Sequence, residues 1–161
     1  MSSPWRDDLI PLLGPYNGEQ LFPLTNVVLP AWLLLWFAPN WKYTHMIAWI
    51  PIFIHAILYL VSIIAILQQD SSGSFTSLEG IVQLFSDPNT VFIGWIHYVS
   101  FDLFVARAIS LDAIQHTSSY LQYVILMGPC LFLCLMAGPV GLVFYAILKM
   151  IFFNKKKEKE S

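Results

Sequence analysis

Four long apolar stretches, separated by short polar segments, dominate the sequence. They cover residues 21–38, 46–67, 91–111 and 120–153. A helix that crosses a bilayer needs ~20 predominantly apolar residues, and the first three stretches have about that length. The pattern therefore predicts an all-α fold, in which a polytopic membrane protein forms a bundle of four transmembrane helices.

The composition supports this interpretation and excludes a soluble globular domain. The chain has 161 residues, of which 57% are hydrophobic and 11% are charged. Soluble domains average about 45–50% apolar and about 25% charged residues. The length is that of a single domain.

The polar segments divide the chain into three parts. Residues 1–20 are rich in proline and glycine and predict an N-terminal interfacial segment, residues 21–153 the transmembrane domain, and residues 154–161 a basic tail. Positive charge marks the cytoplasmic side of a membrane or its stromal equivalent. Four crossings and the basic tail thus predict both termini on that side, although Lys42 and Arg107 argue for the opposite orientation.

Two local features interrupt the apolar pattern. The fourth stretch is too long for one perpendicular helix, so it starts in the interface or is broken, and Pro129 and the Gly138-Pro139-Val140-Gly141 run are its predicted break points. The sequence SLEGIVQLFSD, at residues 77–87, predicts a short amphipathic helix that either Ser77 or Ser74 can cap.

The third stretch carries polar groups in its middle, namely His97, Asp102 and Arg107. A charge at the centre of a membrane helix costs ~2.5–3.5 kcal/mol on insertion scales, and a functional role is the default interpretation. Asp102 and Arg107 are five positions apart, ~140° around a helix, so they do not pair within it. We therefore expect compensation from other helices around a polar cavity, with these candidate partners: Asn26, His55, Tyr59 and Tyr145. The alternative is that both charges only hold helices together.

Other site types find little support in the sequence. Four histidines, with Asp102, offer metal ligands, but none falls into a tight ligand motif, so we predict no metal. The sequence has no phosphate-binding glycine loop, no redox Cys-x-x-Cys motif, no nucleophile elbow and no basic patch for nucleic acid. We predict neither a cofactor nor a nucleic-acid partner.

The segment GWIHYVSFDLFVARAI, at residues 94–109, resembles the signature of the neoxanthin synthase family, plant proteins of the abscisic-acid-deficient type with bacterial and algal relatives. Gly94, Trp95, His97 and Tyr98 fit its beginning, and the DLFV run from Asp102 with Arg107 fits its end; Ala106 replaces the usual glycine. Similar matches occur in the first span, before the third span and in the fourth. The resemblance covers nearly the whole chain.

This resemblance implies an isomerase that converts an epoxy-carotenoid of the violaxanthin type into an allenic carotenoid without a redox cofactor. It implies that Asp102 is the base, that His97 or Tyr98 is the acid, and that Arg107 stabilises the developing oxyanion. Further residues are expected to bind the substrate: Asn26, His55, Trp95 and Phe101.

Two other functions stay open. The first is a non-catalytic membrane protein that binds a carotenoid or another lipid, or that scaffolds an enzyme; the second is a small transporter or ion pathway. The expected partners are membrane lipids, a carotenoid-like lipophilic ligand, and either a second copy of the chain or another enzyme of the pathway. The expected location is a plastid or thylakoid membrane, or a bacterial inner membrane.

Overall fold

The structure is a computed structural model that describes residue 10 and residues 13–14, 16–67 and 73–153. All regular secondary structure in these residues is helical. Four helical segments are long and apolar enough to cross a membrane, Gly18–Phe37, Thr44–Ala65, Pro88–His116 and Tyr120–Ala137, and a shorter apolar segment follows at Pro139–Phe152. The predicted all-α fold with four helices long and apolar enough to cross a membrane is confirmed. The basic tail lies outside the described residues.

The described residues form eight α-helices, one 3-10 segment and a final π turn. In chain order they are α1 (Gly18–Leu21), the 3-10 segment (Phe22–Val28), α2 (Leu29–Phe37), α3 (Thr44–Ile47), α4 (Trp49–Leu67), α5 (Leu78–Leu84), α6 (Pro88–His116), α7 (Tyr120–Ala137), α8 (Pro139–Leu148) and the π turn (Lys149–Phe153).

The first span is divided because of its two prolines. Pro23 lies in the 3-10 segment, and Pro30 lies in the first turn of α2. A proline has no N–H to donate, so it fits a first turn, where that donor has no partner within the helix. Asn17 begins the span with a capping box, in which its side chain accepts from Gln20 N at 3.0 Å.

The amphipathic helix predicted between the second and third spans is confirmed as α5. Ser77 is its N-cap, and the side-chain oxygen accepts a hydrogen bond from Gly80 N at 3.1 Å. This bond satisfies one of the N–H groups that a helix start leaves without a partner.

The fourth apolar stretch breaks at Gly138, which separates α7 from α8. The predicted break in the Gly138-Pro139-Val140-Gly141 run is confirmed. The predicted break at Pro129 is wrong, because Pro129 lies inside α7 and does not end it. Pro139 takes the first position of α8, where its fixed φ suits a helix start.

After this break, α8 runs back along α7. Gly141 lies so close to Cys134 and to the carbonyl oxygen of Cys130 that a Cβ atom would overlap both. On a continuous helix these residues would be ~10 Å and ~16 Å from Gly141 along the axis. The two helices are therefore antiparallel, and both cysteines are buried, free thiols against α8.

The chain folds as two compact units. Unit 1 consists of Met1–Val27 and Phe53–Tyr98, and unit 2 of Val28–Ile52 and Val99–Ser161. The buried apolar residues of unit 1 are Ile10, Ala65, Phe92, Ile93 and Ile96. The larger core of unit 2 includes Leu35, Leu103, Ala106, Tyr123, Met127 and Leu131.

In unit 2, two tyrosines of α7 cap the C-terminus of α2. The last four carbonyl groups of a helix lack partners within it. The carbonyl oxygen of Leu34 accepts a hydrogen bond from Ala38 N, just after the helix, at 2.8 Å. The hydroxyl groups of α7 satisfy two others: Tyr123 donates to Leu35 O at 2.8 Å and Tyr120 donates to Phe37 O at 3.1 Å.

Candidate functional site

Unit 1 contains a surface groove of about 140 Å³ between α4, α6 and the segment around α5. Its walls are mostly aromatic or aliphatic and contain few polar groups. The lining residues are Tyr59, Ile63, Phe75, Phe85, Thr90, Ile93, Gly94, His97 and Tyr98. An apolar cleft with a few converging polar groups is the usual form of a site for a small ligand.

The groove brings together the two residues predicted as the acid. The ring of His97 lies 5.3 Å from that of Tyr59 and 6.0 Å from that of Tyr98, which it meets edge-on. His97 is half-buried, whereas Tyr98 is 60% exposed. An imidazole and a phenol hydroxyl therefore line one aromatic surface, where both can donate a hydrogen bond.

Close packing shapes the wall of the groove. A Cβ atom on Gly94 would lie 2.8 Å from Cε1 of Phe85, so the glycine lets this ring lie against α6. Asp87 fixes the start of α6, because its Oδ2 accepts from Thr90 N at 2.8 Å and from the Thr90 hydroxyl at 2.9 Å. Asn89 Oδ1 accepts from Gly18 N at 2.8 Å, which joins α1 to α6.

The substrate-binding residues predicted in unit 1 lie outside the groove lining. His55 is fully buried and donates from Nε2 to Leu24 O at 3.0 Å. Trp95 is exposed and stacks on Phe22 with 6.3 Å between ring centroids, and Asn26 is exposed on the 3-10 segment. Their contact with a ligand stays a prediction. The observed contact of His55 is with the backbone of the first span.

Asp102, the predicted base, lies in unit 2 at the turn between α7 and α8. Its side chain is half-buried, and its carboxylate lies directly against the buried Gly138. A Cβ atom on Gly138 would overlap the carboxylate, with Cγ only 2.9 Å away. Phe101, predicted to bind substrate, is exposed on the neighbouring face of α6.

Arg107 is held by the second span. Its Nε donates to the carbonyl oxygen of His45 at 2.9 Å, and the guanidinium carbon lies 4.6 Å from the centre of the Trp49 ring. The sequence indicated that other helices would compensate this charge, and they do. Its partners are a backbone carbonyl and an aromatic ring. The sequence alone did not identify either of them as a partner of Arg107.

A second polar cluster, which sequence reasoning missed, lies near the end of α6. Asp112 accepts hydrogen bonds from the Tyr145 hydroxyl and from Lys149 Nζ, and His116 Nδ1 is 3.9 Å from Asp112 Oδ1. The only signal for this cluster in the sequence was that Asp112 and Lys149 each lie near the end of an apolar stretch. Their pairing depends on the return of α8, which spacing does not reveal.

No three metal-ligating side chains of His, Cys, Asp or Glu come close enough to hold an ion in the part of the chain that the structure describes. The predicted absence of a metal stays a prediction for the whole protein.

Comparison with known proteins gives the family. A family model described as "ABA DEFICIENT 4-like" matches residues 20–145. The chain is 31% identical, over 142 residues, to the Arabidopsis thaliana protein named "Protein ABA DEFICIENT 4, chloroplastic", and the match covers 83% of this chain and 61% of that protein. The chain thus spans less than two thirds of this relative. No solved structure matches it. Because the family model covers the segment from α1 into α8, the chain belongs to the ABA DEFICIENT 4-like family.

Proposed function

We propose that this protein isomerises an epoxy-carotenoid of the violaxanthin type to an allenic carotenoid within a membrane. The observation that carries the proposal is the aromatic groove of unit 1, which His97 and Tyr98 line together. An apolar groove with two proton-donating groups suits a lipophilic substrate that reacts at one epoxide oxygen. Family membership and the resemblance of residues 94–109 to neoxanthin synthases support the substrate class.

The proposed reaction needs only an acid and a base. One C–O bond of the epoxide breaks, the oxygen gains a proton, and a proton leaves a nearby carbon atom. The product has the same atoms as the substrate, and no electrons enter or leave. General acid–base catalysis of this kind contributes ~10²–10⁴-fold to a rate.

The chain offers groups for each role. His97 or Tyr98 protonates the epoxide oxygen, Asp102 accepts the carbon-bound proton, and Arg107 stabilises negative charge on the oxygen. Tyr98 and Asp102 are four positions apart on α6 and share a face of that helix. The contacts of Arg107 with His45 and Trp49 fix its guanidinium in advance, which electrostatic stabilisation requires.

The second candidate function is a membrane protein that binds a carotenoid or another lipid without chemistry. The observation in its favour is that Asp102 and Arg107 both make contacts within unit 2 that a purely structural role explains. Both candidate functions place the protein in a plastid or thylakoid membrane, or in a bacterial inner membrane, together with lipids, a lipophilic ligand, and either a second copy of the chain or another enzyme of the pathway.

The decisive experiment uses cells engineered to accumulate violaxanthin. Pigments are separated by chromatography with and without the protein, and with Asp102→Asn. Asp87→Asn is the matched control, because asparagine also caps a helix. We expect a neoxanthin peak that Asp102→Asn abolishes and Asp87→Asn keeps. Violaxanthin that co-purifies unchanged supports the binding function, and no product despite good membrane expression contradicts the isomerase.

A further inference from the structure

Two contacts between α8 and α6 show the direction in which α8 runs. Gly138, at the start of α8, lies against Asp102 of α6, and Lys149, after its end, bonds to Asp112 of α6. Asp102 and Asp112 are ~15 Å apart along α6, and Gly138 and Lys149 are ~16 Å apart along α8. Within unit 2, α8 is therefore parallel to α6 and antiparallel to α7.

The end of unit 2 at which Lys149 lies is also defined. Asp112 is about one turn from the end of α6, where α7 begins after a short connection. At the same end, the Tyr120 hydroxyl bonds to Phe37 O, and Arg107 bonds to His45 O. Lys149 is thus at the end where the first span finishes and the second begins. Had α7 and α8 been one continuous helix, Lys149 would be ~44 Å from Tyr120.

We propose that residues 120–153 form a helical hairpin that enters and leaves the membrane at the same face, with Gly138 at its tip as a positioning residue for Asp102. Three spans precede the hairpin, so the N-terminal segment and the C-terminal tail lie on opposite sides of the membrane. This arrangement replaces the expectation from four crossings that both termini share a side.

The distribution of charge independently supports the hairpin. Lysine and arginine are enriched on one side of a membrane protein. With four crossings, Lys42 and Arg107 oppose the basic tail. With the hairpin, Lys42, Arg107 and Lys149 all lie towards one face, and the basic tail follows Lys149 in the sequence.

The hairpin tip also explains how Asp102 is accommodated. Irregular backbone at membrane depth is tolerated where protein buries it, and Gly138 is buried. The N-terminus of a helix carries a partial positive charge that stabilises a nearby carboxylate. Because Gly138 has no side chain, the carboxylate of Asp102 reaches the first turn of α8. Its role in the reaction rests on the proposed function, whereas the topology does not.

The topology is tested by labelling single introduced cysteines with a membrane-impermeant maleimide in sealed vesicles of one orientation. The variants are Asn40→Cys between the first two spans, Glu79→Cys on α5, and Ser161→Cys. The parent protein is the background control, since Cys130 and Cys134 are buried. We expect Ser161→Cys to react together with Asn40→Cys and on the opposite side from Glu79→Cys. Reaction together with Glu79→Cys overturns the hairpin.

The positioning role is tested by a double-mutant cycle on thermal stability in detergent. Gly138→Ala is expected to lower the melting temperature by several degrees, and to lower it much less in the Asp102→Ala background, where no carboxylate meets the new methyl group. Gly128→Ala, whose Cβ would lie 3.3 Å from Trp36 Nε1, is the control for adding a methyl group elsewhere in the hairpin. Equal losses for Gly138→Ala in both backgrounds overturn the contact, whatever the pigment assay shows.

Discussion

The Nε of Arg107 donates to the carbonyl oxygen of His45, 62 positions earlier in the chain, while the guanidinium carbon lies over the Trp49 ring, 4.6 Å from its centre. One side chain thus joins the second half of the third span to the beginning of the second. An arginine suits this position, because its flat group can stack and donate at the same time, whereas a lysine ammonium has no Nε and no plane.

We therefore predict that Arg107→Lys destabilises the protein although it keeps the charge. The loss of one charge-assisted hydrogen bond and of the stacking contact is expected to cost about 1–2 kcal/mol. Thermal unfolding in detergent measures it, and Lys42→Arg, at an exposed position, is the control. A melting temperature equal to that of the parent would show that the charge alone matters.

A second prediction concerns the buried hydroxyl of Tyr123. It donates to Leu35 O at 2.8 Å, so Ser110, at 2.7 Å, donates to the tyrosine oxygen. Tyr123→Phe leaves the Leu35 carbonyl and the Ser110 hydroxyl without this partner, at a cost of about 1–3 kcal/mol. Ser110→Ala leaves the bond to Leu35 intact and is expected to cost less.

The ordering of these two variants is the test, and it is read from melting temperatures in the same detergent. Polar contacts between membrane helices average only ~0.6 kcal/mol, whereas a buried group left without its partner costs about 1–3 kcal/mol. The capping role of Tyr123 requires Tyr123→Phe to be clearly the more destabilising. Equal losses would contradict it.

Much of the fold follows from local sequence. Apolar length located the four spans, the segment at residues 77–87 indicated α5, and the Gly138-Pro139-Val140-Gly141 run marked the end of α7. These features depend on residues near one another in the chain. The break predicted at Pro129 was wrong, because the sequence alone does not reveal whether neighbouring groups will accommodate a proline within a membrane helix.

What sequence could not give is the direction of the chain after its breaks. That α8 turns back depends on contacts such as Gly141 against Cys134, which no spacing rule contains. The pairing of Asp112 with Lys149 follows from that turn. The charges on α6 were recognisable as needing compensation, but their partners include a backbone carbonyl and a glycine, which carry no distinctive side chain.

A third prediction concerns the shape of the groove in unit 1. Gly94→Ala places a methyl group 2.8 Å from Cε1 of Phe85, so the ring must move from its place on α6. We expect the variant to retain less co-purified pigment than the parent, with little change in folding, because the end of a ring can shift. Pigment absorbance per protein measures retention. Phe85→Leu removes the ring and therefore the collision. Adding Gly94→Ala to Phe85→Leu should therefore lower pigment retention less than adding it to the parent protein.

The last prediction separates the two candidate acids. The His97 ring is half-buried in the groove, whereas Tyr98 is mostly exposed, so we expect His97 to protonate the epoxide and Tyr98 to orient it. His97→Phe should abolish the allenic product in violaxanthin-producing cells, while Tyr98→Phe should reduce its yield without abolishing it. Tyr98 is 60% exposed, so its loss of a hydroxyl should leave the melting temperature unchanged. Phenylalanine is chosen at position 97 because the His97 ring packs against Tyr59, and an aromatic ring keeps this packing. A loss of product then reflects the missing imidazole rather than a change in structure. Product formed by His97→Phe but not by Tyr98→Phe, with both proteins folded, would reverse the assignment.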